Sequence, residues 1–173
     1  MKKIVSLIIF FLFVSKIFSQ ANDSIVLFTK SIGWNSFIGT PDCDTVGAMI
    51  STSLHLEIHK VNAWNGILQF KAYALMNPSK SWVKSGYADE YTLQHEQTHF
   101  NLTEICAIEL QSKLNLMKLK SKKSTLIQAT LAKVQSKLEV LQKQYDFETK
   151  GGNDYVAQKN WNEKILAKLK STD

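Results

Sequence analysis

The hydrophobic pattern changes its period along the chain, and each change predicts a different element. In TSLHLEIHKV, Leu54, Leu56 and Ile58 alternate with His55, Glu57 and His59, a period of two that predicts a strand with one wet face. GILQFKAYALM repeats the alternation with Leu68, Phe70 and Ala72 on one face, and NAWNG, with Asn65 and Gly66, supplies a hairpin turn between the runs. From about Tyr87 the period becomes 3.6. Two helices are expected to run to about Glu148, parted only by the lysine-rich KLKSKKS, which reads as a solvated turn. In the second helix, Ile127, Leu131, Val134, Leu138, Leu141 and Tyr145 advance by steps of four and three, marking the seam that faces the first helix. KGGN at 150–153 should end it, with Gly151 or Gly152 as a left-handed C-cap. A final short helix from Asn153 or Asp154 places Trp161, Ile165 and Leu169 on one stripe, expected to dock on the other two. The turn-rich SIGWNSFIGTPDCDTVGAM is expected to be irregular and pinned by Trp34 and Phe37, and NPSKSWVKSG reads as a loop. The pattern predicts an α+β fold: a small antiparallel hairpin sheet, a long antiparallel helical hairpin and a short C-terminal helix.

The N-terminus adds a different kind of segment. Lys2 and Lys3 precede an apolar run from Ile4 to Val14, followed by a short exit to Ser19 and Gln20. The run is shorter than the roughly 20 residues that span a bilayer, so residues 1–20 read as a cleaved signal peptide and 21–173 as a single domain. The mature protein is then expected in the periplasm or outside the cell, without a membrane partner. Loss of the leader leaves 18 lysines against 15 acidic residues, a formal net charge of +3 in place of +6. Every basic residue is a lysine, so the guanidinium fork that favours bidentate contacts to phosphate or base edges is absent, and nucleic acid is an unfavoured partner. Cys43 and Cys106 offer one disulfide in an exported chain, although Cys106 falls on an apolar helix face where a thiol behaves as a small hydrophobe.

The candidate chemistry lies in LQHEQTHFNLTE. His95 and His99 are four residues apart with Glu96 directly after the first, so both imidazoles project from one face of a helix. They are then placed to hold one metal ion while Glu96 reaches its water. If two antiparallel helices turn near residue 121, the histidines lie level with residues 145–149, which read YDFET. The seam from Ile127 to Tyr145, extended by a step of three, lands on Glu148, and a carboxylate facing an apolar seam needs a partner. The expectation is a zinc site of His95, His99 and Glu148 with an open fourth position. Asp146 is a candidate to orient a histidine, and Glu104 is a rival ligand that the helix rotates away from the histidine face. His55, Glu57 and His59 read as the wet face of a strand.

The blocks WNSFIGTPD, AMISTS, SWVK, LQHEQTHFNLTEICA, YDFET and QKNW occur in order from about Ile32 to Ile165. In this the chain resembles a bacterial family of unknown function, number 922, described as predicted secreted zinc-dependent proteases. The resemblance implies export, zinc and peptidase activity, with His95, Glu96 and His99 matching the family's motif and Glu96 acting as general base on a peptide or protein substrate. It departs from the family where a histidine is expected shortly after the YDFET block, since Lys150, Gly151 and Gly152 stand there. The contrasting reading is a noncatalytic secreted binding module, either without metal or with a structural zinc in a closed site that recruits Asp146 or Glu104.

Overall fold

The computed structural model describes residues 31–171, so the expected signal peptide and its cleavage point lie outside the described residues. The fold is α+β. Two strands, β1 (Ala48–Met49) and β2 (Thr52–Val61), are followed by β3 (Leu68–Met76) and β4 (Trp82–Val83). Three helices then follow: α1 (Glu90–Leu116), α2 (Thr125–Thr149) and α3 (Tyr155–Lys170).

β2 and β3 form the expected antiparallel pair, with Leu54 opposite Ala74, Leu56 opposite Ala72 and Ile58 opposite Phe70. The inward face is apolar and the outward face carries His55, Glu57 and His59, all exposed. His55 packs on the Tyr73 ring at 4.8 Å, and Glu57 accepts a long hydrogen bond from the Tyr73 hydroxyl. A bulge after Ile58 leaves His59 without a cross-strand partner. The turn is held by Asn62, whose side-chain oxygen accepts from the backbone N–H of Trp64 and Asn65, while Gly66 takes a φ of +69°.

Two segments expected to be irregular pair with each other. β1 and β4 form a short second sheet, Ala48 opposite Val83 and Met49 opposite Trp82. Neither has the length for a period of two to show in the sequence. The leading segment is tied down as expected, with Phe37 buried and Trp34 set against it edge to face at 4.7 Å. It is also latched by a bond from the Ile32 N–H to the Gln97 side chain on α1.

α1 is the central element. Asp89 caps its start by accepting from the Thr92 N–H at 2.7 Å. Its apolar residues Phe100, Leu102, Ile105, Cys106, Leu110 and Leu114 are buried on more than one face, because the strands cover one side and α2 and α3 the other. Polar side chains of α1 also close the free edge of β3: Asn115 accepts from the Phe70 N–H at 2.7 Å and Gln111 from the Ala72 N–H at 3.0 Å. An edge strand is thereby satisfied without another strand. Cys106 is a buried free thiol within this core, and Cys43 is a free thiol beside Thr45.

Contacts from α1 to α2 pair Glu109 with Lys137 and His99 with Gln142 and Asp146. α2 runs to Thr149, about where expected, but the left-handed cap comes earlier in the turn: Lys150 itself takes that conformation (φ 53°), and Gly151 and Gly152 continue at positive φ. Asp154 caps α3 through the Ala157 N–H, and Trp161 and Ile165 enter the core with Leu102, Leu138 and Tyr145. Among the described residues no helix is long and apolar enough to cross a membrane.

Leu110 is fully buried at the centre of this packing. Leu110→Ala should lower unfolding free energy by about 2–5 kcal/mol, because the cavity adds to the lost transfer energy. Urea unfolding measures it, and a loss below about 1 kcal/mol would show that α1 is not the packed centre.

Candidate metal centre

His95 and His99 stand one turn apart on α1 with their rings 4.9 Å apart. Their Nε2 atoms approach to 3.2 Å. From α2, Asp146 brings Oδ1 to 3.3 Å from His95 Nε2 and 2.9 Å from His99 Nε2. These three atoms form a group that could hold a metal ion. A tetrahedral ion with arms of about 2.0–2.1 Å has ligand atoms about 3.3 Å apart, so the spacing and the nitrogen–oxygen donor set both fit a metal such as zinc. The two imidazoles are nearly buried, whereas the Asp146 side chain is 52% exposed. The group is therefore open to solvent on the α2 side.

The rings are aimed by their surroundings. The phenol ring of Tyr145 stacks on His95 at 4.7 Å and meets His99 edge-on at 4.9 Å. Behind each ring is a glutamine. Gln158, almost fully buried on α3, sets Oε1 3.1 Å from His95 Nδ1 while its amide nitrogen donates to the Tyr91 carbonyl. Gln142 on α2 sets Oε1 against His99 Nδ1 and donates to the His99 carbonyl at 3.0 Å. Gly152, at φ +86°, passes close behind His95, and a Cβ there would lie 3.4 Å from both His95 Nδ1 and Gln158 Oε1. The turn of Lys150, Gly151 and Gly152 is thus packed against the first imidazole.

Glu96, the next residue, faces the strand side of α1 yet lies near enough to both imidazoles for their charges to act on its carboxylate. It is 4% exposed, and its Oε2 accepts from the Ile50 N–H at 2.8 Å, at the junction of β1 and β2. Burial raises its pKa, and the neighbouring charges of His99 and His95 only partly offset this. Burial likewise acts on His99 and Asp146, but here the partners prevail. Asp146 is held well below the usual carboxylate range by its hydrogen bonds to His95 and His99. His99 is made more basic than an ordinary imidazole by Asp146 and Glu96. The two shifts are those of an imidazolium–carboxylate pair, His99 with Asp146.

Glu148, expected as the third ligand, is placed elsewhere. Its carboxylate accepts from Trp161 Nε1 and Gln144 Nε2, each at 2.7 Å. The buried stripe of α2 continues from Tyr145 by a step of four to Thr149, which is fully buried, and not by three to Glu148. That rotation leaves Asp146 beside the histidines and turns Glu148 toward α3. Glu104 is also outside the metal-ligating group. Among the tyrosines near the site, Tyr145 has its hydroxyl sealed in the interior beside Thr98 without a hydrogen bond of ordinary geometry, and Tyr155 is exposed and stacked on Tyr91 at 4.2 Å.

No family model, curated protein or solved structure matches this chain. Gln142 and Gln158, which hold the two imidazoles, also carry a sequence signal. Gln142 follows Leu138 and Leu141 on the inner side of α2, and Gln158 precedes Trp161 by three on the apolar stripe of α3. A polar side chain in such a position needs a buried partner.

Asp146→Ala should weaken binding of an added divalent cobalt or zinc ion by more than about 100-fold, the upper range for removing even an indirect support. Glu148→Ala should leave that affinity unchanged while disturbing the Trp161 contact. Calorimetric titration of both variants checks this, and the opposite ranking would return the third ligand to Glu148.

Proposed function

We propose that the protein is an exported zinc-dependent hydrolase that cleaves peptide bonds, with zinc held by His95, His99 and Asp146 and with Glu96 as general base. The observation that carries this reading is the convergence of three acceptor atoms, 2.9–3.3 Å apart, on one point beside a buried glutamate and open to solvent. Two imidazole nitrogens and one carboxylate oxygen from the protein, with a position left for water, is the donor count of a catalytic and not a structural zinc site. When bound, zinc supplies a Lewis acid for a carbonyl oxygen and lowers the pKa of its water toward about 7.

The chain's own residues do the rest. Glu96 follows His95 on the helix, so its carboxylate is carried to the edge of the same pocket, and the Ile50 N–H fixes its orientation from the strand side. Burial makes it a stronger base than an exposed glutamate. It takes a proton from the attacking water and returns it to the leaving amine. Asp146, on the exposed side, completes the ligand set while leaving an approach for substrate. An aspartate replaces the glutamate expected from the sequence, and the resemblance to the predicted secreted proteases agrees with the reaction and with export.

Glu96→Gln should retain stoichiometric zinc but lose about 10²–10⁴-fold in kcat, read with quenched-fluorescence peptides on the purified protein. A variant that cleaves at the wild-type rate removes Glu96 from the mechanism, and the noncatalytic reading then leads.

A further inference from the structure

Each histidine has two nitrogens, and only one of them faces Asp146. The other, Nδ1, faces a glutamine whose orientation is dictated from behind. Gln158 Nε2 donates to the Tyr91 carbonyl at 3.1 Å, so its oxygen is the atom presented to His95 Nδ1. Gln142 Nε2 donates to the His99 carbonyl at 3.0 Å and reaches Thr103 Oγ1 at 3.3 Å, so its oxygen is the atom presented to His99 Nδ1. An amide oxygen only accepts, and Nδ1 in each ring must therefore carry the hydrogen. Both Nε2 lone pairs are then directed at one point, together with a carboxylate oxygen.

We propose that Gln158 and Gln142 are positioning residues that lock both imidazoles in the Nδ1–H tautomer and so preorganise the pair of Nε2 atoms for a metal ion. The inference rests on the metal-site reading above and deepens it. The two locks come from different helices, α3 and α2, while both histidines lie on α1. Docking of α3 is consequently part of building the site: without it His95 loses its acceptor and the ring is free to flip or change tautomer. Tyr91 takes part on both sides, since its carbonyl holds Gln158 and its hydroxyl donates to the Gly152 carbonyl at 2.7 Å in the turn leading to α3. A glutamine is neutral, so this arrangement orients each ligand without adding negative charge. A carboxylate in the same place would also raise the basicity of the imidazole.

The test uses the full-length protein as purified and zinc as the probe. Gln158→Leu and Gln142→Leu keep the volume but remove the acceptor, and each should weaken zinc binding about 10–100-fold. Gln158→Glu and Gln142→Glu lose the bond to the carbonyl behind but keep an acceptor oxygen for Nδ1, so they should recover much of the affinity that the leucine variants lose. A role limited to packing would not be rescued in this way. An independent reading needs no variant: long-range proton–nitrogen NMR spectra of the zinc-loaded wild type should show a hydrogen on Nδ1 and metal on Nε2 in both rings. Ligation of either ring through Nδ1, or leucine variants that fold and bind zinc as tightly as wild type, would overturn the inference. Failure of the wild type to take up zinc at all would overturn the metal-site reading, and this inference with it.

Discussion

Three electron-rich atoms are forced together at one end of α1, and the surrounding structure is arranged to keep them there. His95 Nε2, His99 Nε2 and Asp146 Oδ1 lie within 3.3 Å of one another. With Nδ1 of each ring committed to a glutamine oxygen, no hydrogen remains between them unless a proton is added. Such a concentration of lone pairs in a largely buried place is unfavourable by itself. A cation relieves it. The raised basicity of His99 and the lowered pKa of Asp146 express the same demand for positive charge.

The helix that carries both histidines is also the one on which the strands and the other two helices pack. α1 is enclosed by the strands on one side and by α2 and α3 on the other, and each neighbour contributes to the site. The β1–β2 junction holds Glu96 through the Ile50 N–H. α2 supplies Asp146, Gln142 and the Tyr145 ring, and α3 supplies Gln158. The apolar core below, around Leu102, Cys106, Leu110, Val134 and Trp161, fixes the distance between the helices. A shift of one turn between α1 and α2 would separate the histidines from Asp146. Packing and chemistry are thus coupled through the same elements.

Much of this could be read from the residues. The period of two in β2 and β3, the change to 3.6 after Tyr87 and the capping residues Asp89 and Asp154 are local signals, and local physics decides them. The histidine spacing also gave the correct shared face, because four residues make nearly one helical turn. What the sequence left open depends on distant contacts. β1 and β4 are two residues each and are defined only by their pairing. The choice between Asp146 and Glu148 turned on a single step in the seam of α2, three residues against four, which is decided by Thr149 taking the buried position. Gln142 and Gln158 were hidden for a related reason. A polar residue on an apolar stripe marks itself as anomalous, but its partner lies 43 or 63 residues away in the chain, beyond the reach of any periodicity.

Zinc K-edge absorption on the full-length protein, with metal content measured on the same sample, tests the convergence most directly. One zinc per chain with a first shell of two imidazole nitrogens and oxygen donors at about 2.0–2.1 Å is the expected result. A folded protein that takes up no zinc, or a bound zinc whose shell lacks the two imidazoles, would contradict it.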